Sequence, residues 1–286
     1  MRELIEQLRE MGVSYDSLTM IREKDGVVVA RVRFGGGCAV VKYFRNPEHR
    51  REIENYRILA HLGIPTLAVL AQTDRAFLME DVDASPVYRL GVAEDMQDPE
   101  VAVCLAAWYR ALHQKGYGYV SLHGAGLYDE ADAVTRENML SLRRATESET
   151  LPVWRVFDEH FDEIMQKIGR VRRTLTYNDF YYTNFVVRKD RSAAFMYDYN
   201  MFVKGYAYSD MRNVCSSLGE QAQHAFISAY GPIDLREKIV DDVVSVFTTL
   251  HFAYRRPEFP SWAEEELQTL RGDYLERVQL LLRTEF

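Results

Sequence analysis

Tyr177-Asn178-Asp179-Phe180-Tyr181-Tyr182-Thr183-Asn184-Phe185-Val186-Val187 holds an Asp, an Asn five places on, and then an apolar run with strand character. A second apolar run, Ala194-Phe195-Met196-Tyr197, ends on Asp198. The polar stretch Arg188-Lys189-Asp190-Arg191-Ser192 between them predicts a β-hairpin. That hairpin brings Asp179, Asn184 and Asp198 to one of its ends. One carboxylate beside a carboxamide and a second carboxylate suits phosphoryl transfer. The first can take the proton of an acceptor hydroxyl, while the other two offer hard oxygen donors to Mg²⁺.

The ordered set Asp-x-x-x-x-Asn, hairpin, Asp is similar to the catalytic core of protein-kinase-like folds. Its surroundings resemble the small-molecule kinases of the aminoglycoside phosphotransferase and choline kinase superfamily. Asp198-Tyr199-Asn200 looks like that superfamily's Asp-aromatic-Glu, where protein kinases have Asp-Phe-Gly. Asp210, in Ser209-Asp210-Met211-Arg212-Asn213, falls where the superfamily keeps a structural Asp that anchors the catalytic loop. Asn178 before Asp179, and Asn213 after Asp210, resemble the choline kinase branch. Tyr177 departs from the pattern, which usually has His there.

Working outward toward the N-terminus, Leu18–Ile21 and Val27–Phe34 flank the turn Glu23-Lys24-Asp25-Gly26, a hairpin signal. Gly35-Gly36-Gly37 then turns the chain into a third strand, Cys38–Phe44. The resemblance implies that the first hairpin covers nucleotide phosphates and that Lys42 grips them. Its turn has a single glycine and matches a Gly-rich phosphate loop poorly. Asn46-Pro47-Glu48 starts a helix that stops at Gly63. By the superfamily's spacing Glu52, with Glu54 as the alternative, holds Lys42. Strands are expected at Thr66–Ala71 and Ala76–Met79. Glu80-Asp81-Val82-Asp83 resembles the hinge between lobes, with Met79, Glu80 and Val82 around the adenine.

Toward the C-terminus, a helix is expected from Pro99 to Gly116, with His113 at its end in a structural role. Helical pattern runs from Ala131 to Arg170 with a break near Pro152. Three more helices follow, near Arg212–Tyr230, Leu235–Tyr254 and Trp262–Leu282. His123 has no partner identified by the sequence, and the absence of a Gly-x-Ser-x-Gly elbow leaves a hydrolase triad unsupported.

Three widely spaced cysteines without metal-ligand spacing argue for a reducing compartment and against a disulfide framework. The amphipathic start is not a signal peptide, and no apolar run reaches membrane-spanning length. A cytoplasmic protein is the expectation. The net charge of −8 disfavours nucleic acid as a partner. It is unevenly spread: residues 1–80 hold 12 basic and 11 acidic side chains, the remainder 23 and 32. Such a balance favours a cationic substrate in the second part if the acceptor binds there, though acids also simply solvate a surface. Tyr177, Tyr181, Tyr182, Tyr199, Tyr206 and Tyr208 cluster near the site motifs, where rings either bind a substrate cation or pack the core.

The resemblance implies an α+β, two-lobed protein-kinase-like fold. A small antiparallel N-lobe (1–82) with one main helix would bind the nucleotide. A larger, mostly helical C-lobe (83–286) would carry catalysis and the acceptor. The implied activity is transfer of the γ-phosphoryl of ATP or GTP, with Mg²⁺, to the hydroxyl of an amine-bearing small molecule. Asp179 is the expected base, Asn184 and Asp198 the metal ligands. A choline/ethanolamine-type kinase and a nucleotide-binding pseudoenzyme are the alternatives. A protein kinase is disfavoured because no Ala-Pro-Glu segment follows Asp198.

Overall fold

Val28, Ala30 and Val32 alternate with Val29, Arg31 and Arg33. In the computed structural model, which describes residues 1–286, the first set is fully buried. These residues lie on β2 (Val27–Phe34), flanked by β1 (Ser17–Lys24) and β3 (Gly37–Phe44). With β4 (Val69–Gln72) and β5 (Ala76–Glu80) they form an antiparallel sheet in the order β1-β2-β3-β5-β4. Asp25 and Gly26 both adopt positive φ in the tight β1–β2 turn. β4 starts later than its sequence suggests, because the Ala68 N–H is taken by the Glu80 carboxylate at 2.9 Å instead of by a ladder partner.

One face of this sheet is closed by α1 (Arg2–Glu10), whose Leu4 and Leu8 are fully buried against Val28, Val32, Ala39 and Val41. Each such leucine stabilises the unit by about 1.5–3 kcal/mol. The opposite face carries Lys42, Val40 and Val29, by the register Val29↔Lys42 and Val40↔Met79. α2 (Arg51–His61) contributes buried Glu52, Ile53, Asn55 and Tyr56.

The chain divides into two compact units, Met1–Leu112 with Asp179–Phe202 and Val214–Tyr230, and His113–Asn178 with Val203–Asn213 and Gly231–Phe286. Besides the five-stranded sheet, the first unit holds a smaller sheet of β6 (Tyr88–Leu90), β8 (Phe185–Arg188) and β9 (Ala194–Met196). Here β8 and β9 form the expected hairpin, with Phe185 opposite Met196 and Val187 opposite Ala194. The second unit pairs β7 (Thr174–Thr176) with β10 (Val203–Gly205). Its core is helical: α4 (Arg136–Ala145), α5 (Pro152–Arg170), α8 (Leu235–Ala253) and α10 (Tyr274–Arg283) bury Trp154, Phe157, Phe247 and Tyr274 together.

Three helices differ from their expected bounds. α3 spans Pro99–His123 and runs straight through Gly116. A Cβ there would lie 2.3 Å from Thr174 Oγ1, so that glycine permits close packing instead of ending the helix. The segment expected as one helix to Tyr230 is two, α6 (Ala207–Cys215) and α7 (Glu220–Tyr230). They part where the Gly219 N–H leaves the helical ladder for Met96 O at 2.9 Å. The last predicted helix likewise divides into α9 (Glu264–Arg271) and α10, its first part ending where the Gly272 N–H caps Gln268 O and Thr269 O. No helix is long and apolar enough to cross a membrane.

Candidate active site

Strand alternation places Lys42 on the inner face of β3, and the turn of α2 places Glu52 opposite it. Lys42 Nζ meets Glu52 Oε2 at 2.6 Å and Asp198 Oδ1 at 2.8 Å. Glu54, the alternative partner, is exposed and paired with Arg57 at 3.1 Å. Burial opposes the charge on Lys42, but Glu52 and Asp198 outweigh it and hold the ammonium above its ordinary range. Burial pushes the Glu52 carboxyl up to about 7 despite the lysine.

Asp198 follows β9 in a left-handed conformation, φ 62°, which costs roughly 1 kcal/mol or more for a residue other than glycine. Neighbouring contacts hold it there. Tyr199 is fully buried, its ring edge-on to Tyr56, and its carbonyl accepts from Asn55 Nδ2 at 2.8 Å. Tyr197 N–H donates to Asn184 O at 2.9 Å, which fixes Asn184 across the open end of the hairpin from Asp198. Asn184 Nδ2 in turn donates to Asp179 Oδ2 at 2.8 Å. Burial and the charge of Asp198 raise the Asp179 carboxyl, against the Asn184 hydrogen bond and Lys42. The hairpin therefore gathers Asp179, Asn184 and Asp198, and β3 brings Lys42 to them.

Asp198 and Asn184 supply a carboxylate and a carboxamide oxygen, the hard donors Mg²⁺ takes, with the Asn184 nitrogen committed to Asp179. No cluster of three or more His, Cys, Asp or Glu side chains forms a ready metal cage. Met79 is buried on the face that carries Lys42, and Val82 is buried in the turn that follows β5. Glu80 is bound to Ala68 twice, its carboxylate accepting from Ala68 N–H at 2.9 Å and its own N–H donating to Ala68 O at 3.1 Å.

In the second unit Asp210 is almost fully buried and saturated with donors. Tyr177 N–H and Asn178 N–H each reach it at 2.8 Å and His113 Nε2 lies at 3.0 Å. Those two amides belong to the residues immediately before Asp179. Asn178, at φ 62°, is a residue type that tolerates the left-handed region. Tyr177, Tyr199 and Tyr206 are buried core residues, whereas Tyr181 is 49% exposed with its ring 4.4 Å from that of Tyr182. His123 touches only the Tyr119 ring among aromatic neighbours and stays exposed.

Sequence patterns missed two charged constellations. In the first unit Arg31 reaches both Asp81 and Asp83. In the second, Arg212 pairs with Asp241 at 2.7 Å, close to Glu130. Burial, then Asp241, push the Glu130 carboxyl up to about 7 from an ordinary 4.5. An acid raised by folding destabilises as pH climbs between those two values, because the unfolded chain ionises first. Glu130→Gln is expected to be more stable than wild type at pH 8 by roughly 1–3 kcal/mol, with the gain vanishing near pH 4.5. Thermal melts at several pH values measure it. A difference independent of pH would contradict the assignment.

A family model for the phosphotransferase enzyme family matches residues 26–238, most of the chain and every residue of the site above. The chain belongs to that family. Solved structures share its fold. The apoenzyme of the macrolide 2′-phosphotransferase of Brachybacterium faecium superposes with a TM-score of 0.60 at 16% identity, over 100% of this chain and 99% of its own. The choline kinase of Streptococcus pneumoniae gives 0.59 at 12% identity, over 98% and 99%. Spectinomycin phosphotransferase, in complex with ADP and spectinomycin, gives 0.57 at 14%, over 99% and 97%. No curated protein matches the chain. In this phosphotransferase the α+β, two-lobed kinase-like fold expected from the sequence is therefore present.

Proposed function

We propose that this phosphotransferase is a small-molecule kinase that moves the γ-phosphoryl of ATP or GTP to a hydroxyl of an amine-bearing acceptor. The observation that carries the reading is the set of buried Lys42 and Glu52 with half-buried Asp198, beside the hydrogen-bonded Asp179–Asn184 pair. Residues 1–82 form the nucleotide lobe in this reading, and residues 83–286 carry catalysis and the acceptor. The base lies along Met79, Glu80 and Val82. Lys42, oriented by Glu52, grips the phosphates. Asn184 and Asp198 would hold Mg²⁺, which when bound offsets the charge of the phosphates. Asp179 orients the acceptor hydroxyl and accepts its proton, helped by the raised affinity of its carboxyl for that proton. Asp210 fixes the backbone of the two residues before Asp179. Catalysis rests on positioning and charge, with no covalent intermediate.

ADP bound to spectinomycin phosphotransferase and ATP in the streptomycin ternary complex of another structural neighbour support a nucleotide donor. The acidic balance after residue 80 supports a cationic acceptor. Three free thiols fit a cytoplasmic setting. A choline/ethanolamine-type acceptor is the second reading, favoured by Asn178 and Asn213. A pseudoenzyme is disfavoured by the intact set of base, metal donors and lysine.

Acceptor-dependent consumption of ATP and GTP, with Mg²⁺, tests the reading across aminoglycosides, choline, ethanolamine and amino sugars. Turnover with one of these classes is expected. Nucleotide binding with no turnover on any of them would favour the pseudoenzyme.

A further inference from the structure

Arg31 sits on β2 opposite Val40, on the sheet face that also carries Lys42, Val29 and Met79. Its side chain reaches the segment leaving β5, where the Cys38 thiol on the neighbouring strand also meets Asp81. Its Nε and Nη2 both engage Asp81, the second contact at 3.0 Å, and Nη2 also meets Asp83. The Asp81 side chain is 2% exposed and that of Asp83 60%. Asp81 also caps its own turn, accepting from Asp83 N–H at 3.2 Å, while Ala84 N–H donates to Asp81 O at 3.1 Å. The peptide of Val82 thus lies between two residues tied to one guanidinium. A planar fork that binds two carboxylates at fixed angles restrains backbone as an ammonium cannot.

We infer that Arg31 is a positioning residue for the nucleobase: it clamps residues 81–83 so that the backbone around Val82 is held ready to meet the base edge. The inference rests on the proposed nucleotide reading. A pre-ordered reader binds more tightly because the ordering cost has already been met during folding. The clamp acts on the base alone. Phosphates, gripped by Lys42 two positions along β3 from the partner of Arg31 and tied to Glu52 and Asp198, do not depend on it.

Titrating wild type, Arg31→Met and Asp83→Asn with ATP, GTP and inorganic tripolyphosphate, each with Mg²⁺, tests this. Arg31→Met is expected to weaken the preferred nucleotide about tenfold, leaving tripolyphosphate within about twofold. Asp83→Asn, which removes one exposed limb and leaves buried Asp81 intact, shifts the nucleotide in the same direction by less. In turnover, the nucleotide KM rises while kcat holds. Equal losses for nucleotide and tripolyphosphate, or no loss of either, overturn the clamp even where wild type binds nucleotide well. Should Arg31→Met fail to fold, Asp83→Asn decides by the same comparison. Wild type that binds neither nucleotide overturns the nucleotide reading and the clamp with it.

Discussion

Asp179→Ala lowers kcat by about a hundredfold to ten-thousandfold, with the nucleotide KM nearly unchanged. The direction follows from where Asp179 stands. Its carboxylate is oriented by Asn184 Nδ2 at 2.8 Å, and in the proposed mechanism it touches the acceptor hydroxyl and not the nucleotide. Lys42 remains tied to Glu52 and Asp198, so the grip on the phosphates survives. Removing the carboxylate also takes away a negative charge beside Asp198, which spares the fold a repulsion. Steady-state kinetics on the identified acceptor measures the split. A variant that keeps wild-type kcat would remove Asp179 from the chemistry. One that loses nucleotide affinity and kcat together would make its role structural.

Asp210→Ala is expected to be the most damaging single change to the fold. The buried carboxylate satisfies Tyr177 N–H, Asn178 N–H and His113 Nε2. Each stranded buried donor costs about 1–3 kcal/mol, so a total near 3–5 kcal/mol is expected. Against a total stability on the order of 5–15 kcal/mol, that is a large fraction. A fall in Tm of about 10 °C is the corresponding observable. Activity falls further than stability explains, because Asn178 at φ 62° sets the chain direction into Asp179. Asp210→Asn retains one acceptor oxygen and lands between the two. A melt unchanged in Asp210→Ala would show that water or a rearranged loop replaces the carboxylate at little cost.

The sheet and the hairpin were legible because their signals are local. Alternation in Val27–Phe34 and the Asp25-Gly26 turn act over a few residues, and so does the Arg188–Ser192 turn. Lys42 on β3 and Asp198 after β9 sit on those elements, Glu52 on α2, and Asp179 and Asn184 just before β8. The five come together as Lys42–Glu52, Lys42–Asp198 and Asn184–Asp179 contacts. Helix ends were less legible. The Gly116 signal reads as a stop, yet packing against Thr174 makes it an interior residue, and Gly219 and Gly272 break helices through bonds no pattern encodes. Arg31 was invisible for another reason. An arginine on a strand looks like a solvated charge until its partners, 50 and 52 positions away, are brought to it. Glu130 was equally silent, because burial within a short turn leaves no periodic trace.

Calorimetric titration of ATP into wild type and Asp198→Asn, with and without Mg²⁺, tests the central claim most directly. Wild type is expected to bind ATP more tightly with Mg²⁺ than without, and Asp198→Asn to lose most of that increment while keeping the metal-free affinity, which Lys42 supplies. An unchanged Mg²⁺ increment in Asp198→Asn, or no ATP or GTP binding to wild type, would contradict the account.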